Sequence, residues 1–356
     1  MRIVTLDFET YFDDDYTLKK LTTENYIRDP RFEAHGAAVH EGDQTRWLSP
    51  QKLRTQCKAW RGSTAYGNPL VMICHHAHFD GLILSHHFNY RPDFWIDTLS
   101  MARVLFDQDK RNDLGSLAER FGLSPKTVPY QEMKGKHWHE MTPELQAKVA
   151  SGGCHDAVLT HRIADWMIGG GHPAVPYPFP TSELKVVDLT VRMFTEPALV
   201  GNPEKLGQAW YAERDAKAEL FKRLGVTAGQ LRKDDEFAVM LEDLGVDVPT
   251  KITNKGNEKF AFAKSDYFMQ DLLTSEDEDV ALLAEARLAA QSSIYRSRVE
   301  RIGDAATRGP LPVYLAYAAA HTRRWGGGDR SNWQNWPRPD PSRPEKGALK
   351  KAVQAP

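Results

Sequence analysis

The sequence predicts an α/β domain followed by a mainly α-helical region, and three observations carry that expectation. Residues 1 to about 170 alternate short apolar runs of strand character with helical periodicities. A Gly/Pro-rich stretch at 169–181 can sustain neither regular structure. Beyond it, apolar side chains recur every three or four residues.

Residues 2–6 form the first strand, which ends on Asp7 and Glu9. Successive strand residues face opposite ways, so these two carboxylates share a face and can share a cation. Residues 33–40 read as a second strand, and 71–74 as a short buried one leading into a helix-like 80–88. Leu159, Ile163, Trp166 and Met167 fall on one helical face, which places Asp156 at the opening of a helix. Gly169-Gly170-Gly171-His172-Pro173, with Pro176, Pro178 and Pro180 behind it, marks a linker, 171–181, between a first domain of 1–170 and a second of 182–356. In the second, Leu206, Ala209, Ala212, Ala216, Leu220 and Leu224 make one stripe, and 280–301 is rich in Ala, Leu and Arg. The acidic run 276–279 suits a helix N-terminal turn, where the backbone dipole favours negative charge. Segments 251–262 and 325–356 break the helical pattern, and no internal repeat is evident.

With 356 residues, 41% hydrophobic and 10% aromatic, the chain can bury more than one core. Its formal charge of −2 decides little, because a basic groove can hide inside a neutral total. Locally, eight basic residues between His321 and Lys351 face three acids, in a tail that carries Trp325, Trp333 and Trp336. Cys57, Cys74 and Cys154 are widely spaced with no CxxC pair, which argues against a disulfide framework or structural zinc and fits a reducing cytoplasm. No charged-then-apolar leader precedes the first strand, and no apolar run approaches the ~18 residues of a membrane span. A soluble protein with no membrane partner is expected.

Isolated aspartates extend the first carboxylate pair. Asp80 follows the apolar run 71–74, and Asp156 precedes the last helix of the first domain; with Asp7 and Glu9 they can complete a four-carboxylate cage. Each acid alone also reads as a surface residue, but strand ends and helix starts are where α/β domains place sites. Phosphodiester hydrolysis at neutral pH needs a deprotonated water and neutralisation of the leaving oxygen. Two Mg²⁺ or Mn²⁺ ions about 3.5–4 Å apart supply both, held by hard carboxylate oxygens. Asp7 and Asp156, with Glu9 beside them, suit the first ion, and Asp80 an outer position reached through water.

Asp7-Phe8-Glu9-Thr10, His78-Phe79-Asp80 and Asp156-Ala157-Val158-Leu159-Thr160 resemble, in order and at compatible spacing, the three motifs of the DEDD proofreading exonucleases. Trp95-Ile96-Asp97-Thr98-Leu99 and the helix-like 114–123 resemble connecting parts of the same domain. The resemblance covers roughly 1–170. It implies an RNase H-like 3′–5′ exonuclease with two divalent ions on Asp7, Glu9, Asp80 and Asp156, and with Thr10, His76 and Phe79 lining a single-stranded 3′ end. It departs from the family at Gly152, where a tyrosine usually positions the attacking water, and at His76, where asparagine is usual. His155 could serve as a substitute base, or is a hydrogen-bonding neighbour of the acid.

The second half resembles family A DNA polymerases, especially those of phages, through Leu311-Pro312-Val313-Tyr314-Leu315, His321-Thr322-Arg323-Arg324-Trp325 and Asn332-Trp333-Gln334-Asn335-Trp336-Pro337-Arg338. The resemblance implies a thumb and an incomplete palm, with Arg324, Asn332, Gln334, Asn335 and Arg338 on primer-template DNA in a bacterial or phage-infected cell. Arg323 replaces the family's glycine and Gly326 its serine. The chain stops where that family continues into the palm strand bearing its first polymerase aspartate, so palm and fingers are expected on a separate chain and no nucleotide addition from this one. The expected function is the proofreading portion of a DNA polymerase; the alternatives are a non-catalytic DNA-binding or assembly subunit of a split polymerase, and a free-standing nuclease. The primer-binding blocks argue against the last.

Two further signals have blander accounts. His75, His76, His78, His86 and His87 cluster, but zinc would need a second pair, for which His137 and His139 are the plainest candidates. Trp325, Trp333 and Trp336 could stack on bases or simply pack.

Overall fold

The computed structural model describes residues 1–106, 111–253, 256–330, 332–336 and 344–355, with the side chains of 344–346 left out. Arg338 therefore lies outside the described residues. The chain divides into two compact units, Met1–Val200 with Arg308–Trp336, and Gly201–Thr307 with the C-terminal helix.

Strand β1 (Arg2–Thr10) is the centre of the first unit. It pairs antiparallel with β2 (Ala34–Glu41), which pairs antiparallel with β3 (Gln44–Leu48). On its other side run β4 (Leu70–Cys74) and β5 (Phe94–Asp97), both parallel to it, in the order β3-β2-β1-β4-β5. Antiparallel neighbours need only a short turn, whereas parallel neighbours need crossovers, which helices supply. This order and these directions are those of an RNase H-like sheet. The helices are α1 (Thr23–Arg28), α2 (Pro50–Ala65), α3 (Ala77–His87), α4 (Thr98–Leu105), α5 (Leu114–Arg120), α6 (Tyr130–Met133), α7 (Pro143–Gly169) and α8 (Thr181–Thr195).

The two faces of β1 differ sharply. Val4, Leu6 and Phe8 enter one core with Tyr26, Trp60, Met72 and Trp95. A second core forms beyond the opposite face, where Val71, Ile73 and Ile96 meet Leu159, Ile163 and Met167 of α7. On that face β1 presents Thr5, Asp7 and Glu9, and Thr5 Oγ1 lies 3.0 Å from His161 Nδ1 of α7. An apolar/polar alternation inside a buried central strand places polar groups where a core would otherwise close.

Three expectations change. The helix bearing Asp156 opens at Pro143 behind the Thr142 cap, so Asp156 sits mid-helix, with Gly152 and Gly153 buried within α7. The stretch 171–181 does not tether two domains: Val175 and Phe179 are core residues, and the Phe179 N–H donates to Met167 O at 2.7 Å. Helix α8 likewise belongs to the first unit, where Asp188 accepts from the Trp95 N–H at 2.8 Å. The first compact unit thus ends near Val200 and regains 308–336. Arg308 pairs with the buried Glu24 (Nη2 to Oε2, 2.7 Å), and Asp329 accepts from the N–H groups of Thr23 and Glu24.

The second unit is helical, with α9 (Pro203–Leu224), α10 (Ala228–Arg232), α11 (Asp234–Asp243), α12 (Tyr267–Leu273), α13 (Glu278–Gln291), α14 (Ile294–Thr307) and α15 (Pro344–Lys351). Its core gathers Leu231, Phe237, Leu241, Phe262, Met269 and Leu283. Asp277 caps α13, so the acidic run does sit at a helix start. In the segment that broke the helical pattern, Thr250–Ile252 pairs antiparallel with Glu258–Phe260. In α9, Ala212 and Ala216 are exposed; from Ala209 the inward stripe passes instead through half-buried Glu213 and Lys217, paired at 2.6 Å, to Leu220 and Leu224. No helix among the described residues is long and apolar enough to cross a membrane.

Candidate active site

Pairing of β1 with β4 stops at Thr5↔Ile73, while pairing with β2 runs on to Thr10. Past Thr5, one edge of β1 is therefore open. Asp80, in the first turn of α3, fills it: its Oδ1 accepts the Phe8 N–H at 3.0 Å. Asp97 holds α3 in that position. Its Oδ1 accepts from the N–H groups of His76 (2.8 Å) and Ala77 (3.1 Å), and its Oδ2 takes the N–H and hydroxyl of Ser100. One buried carboxylate thus caps both α3 and α4.

Asp156 arrives from α7. A Cβ on Gly153 would lie 3.0 Å from the Trp47 ring, and one on Gly152 only 2.8 Å from Val128 Cα. The glycine pair lets α7 lie flush between the sheet and the segment 125–130, and so carries Asp156 down to the strand. Ligand oxygens of Asp7, Glu9 and Asp156 then lie within 4.8 Å of one another.

The cluster is electrostatically uncomfortable. Burial, then the Asp156 charge, pushes the Asp7 carboxyl up to about 7, with Lys126 pulling the other way. Burial and the Asp7 charge hold Glu9 and Asp80 well above the usual carboxylate range. Burial also raises Asp156, although Lys126 Nζ sits 2.7 Å from its Oδ2. Apart from that ammonium, no donor reaches the fully buried Asp156 carboxylate among the described residues. Convergent hard oxygens, short of positive charge, fit a divalent cation.

The segment 125–130 was not legible as part of the site. Lys126 Nζ donates to Tyr130 Oη at 3.2 Å, and burial with the nearby Glu9 charge holds that phenol protonated. His155 Nε2 donates to the Pro125 carbonyl at 3.1 Å, so it anchors this segment as a hydrogen-bonding neighbour. In sequence, the only hint is the Pro125/Pro129 bracket of an irregular stretch some thirty residues before Asp156.

Other predicted residues fall as follows. Thr10 is buried, with its hydroxyl 2.8 Å from Tyr26 Oη, and Phe79 is half-buried beside the same tyrosine. His76 takes a left-handed backbone (φ 71°) and its Nε2 lies 2.8 Å from Tyr314 Oη. It borders a cavity of about 410 Å³ shared with His75, Arg103 and Asn112. Arg324, Asn332, Gln334 and Asn335 are exposed. Arg323 adopts φ 59°, the conformation a glycine there would fill, and its guanidinium reaches the carbonyls of Arg103 and Val104. Trp325 packs, its indole N–H donating to Thr190 Oγ1 at 2.9 Å. Among the described residues no histidine joins a metal-binding group of three.

No protein-family model and no curated protein matches the chain. Among solved structures it is similar to the POL domain of Pol1 from M. smegmatis in complex with DNA primer-template and dNTP, at 15% identity and a TM-score of 0.55, over 98% of this chain and 54% of that one. Looser likenesses are to Trypanosoma brucei RNase D with RNA U12 (12% identity, TM-score 0.39, 54% and 63% covered) and to the apo form of a nuclease (14%, 0.35, 53% and 80%). The chain spans about half the length of the Pol1 structure.

Proposed function

We propose that this chain is a divalent-metal-dependent 3′–5′ DNA exonuclease joined to a primer-template-holding region, the proofreading portion of a DNA polymerase. The observation that carries the reading is the convergence of Asp7, Glu9 and Asp156 from β1 and α7 on the polar face of a central strand, with Asp80 of α3 tied to the Phe8 N–H. Mg²⁺ or Mn²⁺ ions bound there supply the positive charge that water deprotonation and departure of the 3′ oxygen require. Asp7, Glu9 and Asp156 would hold one ion directly, and Asp80, tied to the Phe8 N–H, would take the outer position. Phe79, His76 and the backbone at Thr10 line the approach for a 3′ end. Exposed Arg324, Gln334 and Asn335, with Asn332 and Arg338, suit phosphate and minor-groove contacts, and the primer-template in the Pol1 structure supports that use.

Release of nucleotide from 3′-labelled single-stranded DNA with Mg²⁺ or Mn²⁺ tests the nuclease. Asp7→Ala is expected to abolish it, and digestion retained in that variant refutes the assignment. The glycine at position 152 favours one second reading, a non-catalytic subunit of a split polymerase. Wild-type protein that binds primer-template yet releases no nucleotide establishes that reading instead. Arg324→Ala is expected to weaken primer-template binding by roughly tenfold, with a shallower salt dependence.

A further inference from the structure

We propose that Lys126 and Tyr130, carried on the segment 125–130, position the attacking water and the scissile phosphate in place of the tyrosine that position 152 lacks. This rests on the exonuclease reading above. Position 152 cannot carry a large side chain: a Cβ there would already stand 2.8 Å from Val128 Cα and 2.9 Å from Val128 N, and backbone does not yield as a side-chain tip does. What blocks position 152 is itself the replacement.

The segment is built in rather than draped. Val128 is buried against Gly152, His155 Nε2 holds the Pro125 carbonyl, and Lys126 Nζ pairs with Asp156 Oδ2 at 2.7 Å. Pro125 and Pro129 restrict the backbone on either side. The hydrogen-bond inventory then assigns the directions. An ammonium only donates, so Lys126, paired with Asp156 and donating to Tyr130 Oη, keeps a proton for a phosphate oxygen. The Tyr130 oxygen, already accepting from Lys126, keeps one lone pair for a water O–H and its own proton for a further acceptor. A water held so presents its free lone pair to phosphorus. As the water oxygen–phosphorus bond forms, the bond from phosphorus to the 3′ oxygen breaks. A water proton passes through the carboxylates to solvent, the departing 3′ oxygen takes one up, and a nucleoside 5′-monophosphate leaves.

Steady-state hydrolysis of 3′-labelled single-stranded DNA by the full chain tests this with Tyr130→Phe, Lys126→Met, Lys126→Arg and Asp7→Ala, alongside Mn²⁺ binding followed by electron paramagnetic resonance. Tyr130→Phe and Lys126→Met are each expected to lower kcat by ~100-fold or more with KM nearly unchanged, and Tyr130→Phe to leave the thermal midpoint nearly unchanged as well. Lys126→Arg is expected to recover part of the loss. Mn²⁺ binding is expected to be unchanged in Tyr130→Phe and no weaker in Lys126→Met, because removing the ammonium frees Asp156. Wild-type rates in both, with Asp7→Ala inactive, overturn the proposal while the exonuclease reading stands. Rate losses matched by equal losses of Mn²⁺ binding overturn it too, since the pair would then only shape the ion site. A wild-type protein without metal-dependent hydrolysis removes the exonuclease reading and this proposal together.

Discussion

Asp7→Asn is expected to stabilise the metal-free protein at alkaline pH, against the usual direction for a change at a buried central strand. Asp7 titrates at about 7 in the folded chain against 3.8 for an unperturbed carboxyl. The folded state thus holds the proton more tightly than the unfolded state. Its stabilising contribution is complete below the unfolded value and is lost as pH rises through about 7. A shift of about three pH units corresponds to roughly 4 kcal/mol at most, and rearrangement of Lys126 toward whichever acid ionises reduces this to roughly 2–3 kcal/mol. Guanidinium unfolding in EDTA reads it through tryptophan fluorescence, because every tryptophan but Trp210 belongs to the first unit. Asp7→Asn is expected to match wild type near pH 4 and to exceed it by that margin at pH 8. Saturating Mg²⁺ then reverses the order, since binding to the native state stabilises wild type alone. A variant less stable than wild type at pH 8 in EDTA, or a difference that does not grow with pH, refutes the electrostatic account of the cluster.

Two further substitutions probe the scaffold beneath the site. Gly152→Ala would gain about 1 kcal/mol in an ordinary helix, but its methyl meets Val128 Cα at 2.8 Å, and overpacking costs about 1–3 kcal/mol. A net fall in the thermal midpoint is expected, and a rise shows that the segment 125–130 lifts away freely. Asp97→Ala strands the donors of His76, Ala77 and Ser100, each worth about 1–3 kcal/mol when left unpaired, so a loss of at least 3 kcal/mol in a urea titration is expected. A loss under 1 kcal/mol means water replaces the carboxylate.

The candidate carboxylates were legible because their signal is local. Strand alternation puts Asp7 and Glu9 on one face whatever the rest of the fold does, and Asp80 stands directly behind a buried strand. Helix periodicity likewise announced α7, but not where it starts. Ser151-Gly152-Gly153 looks like a break in isolation, and only the Trp47 ring and Val128 backbone on either side explain why an uninterrupted helix needs glycine there. The boundary at 169–181 failed for a related reason. Gly and Pro forbid regular structure, yet do not forbid burial, and Val175 and Phe179 close a core.

The sequence by itself determined that Asp7 and Glu9 share one face of the first strand and that helices follow, since periods of two and near four residues are properties of the backbone. Only the tertiary structure decided that Asp156 is answered by Lys126, that Tyr130 joins it, and that position 152 is small because chain crosses over it. Those facts depend on which distant segment packs against which face, and the close packing that settles them is not encoded in any single stretch of residues.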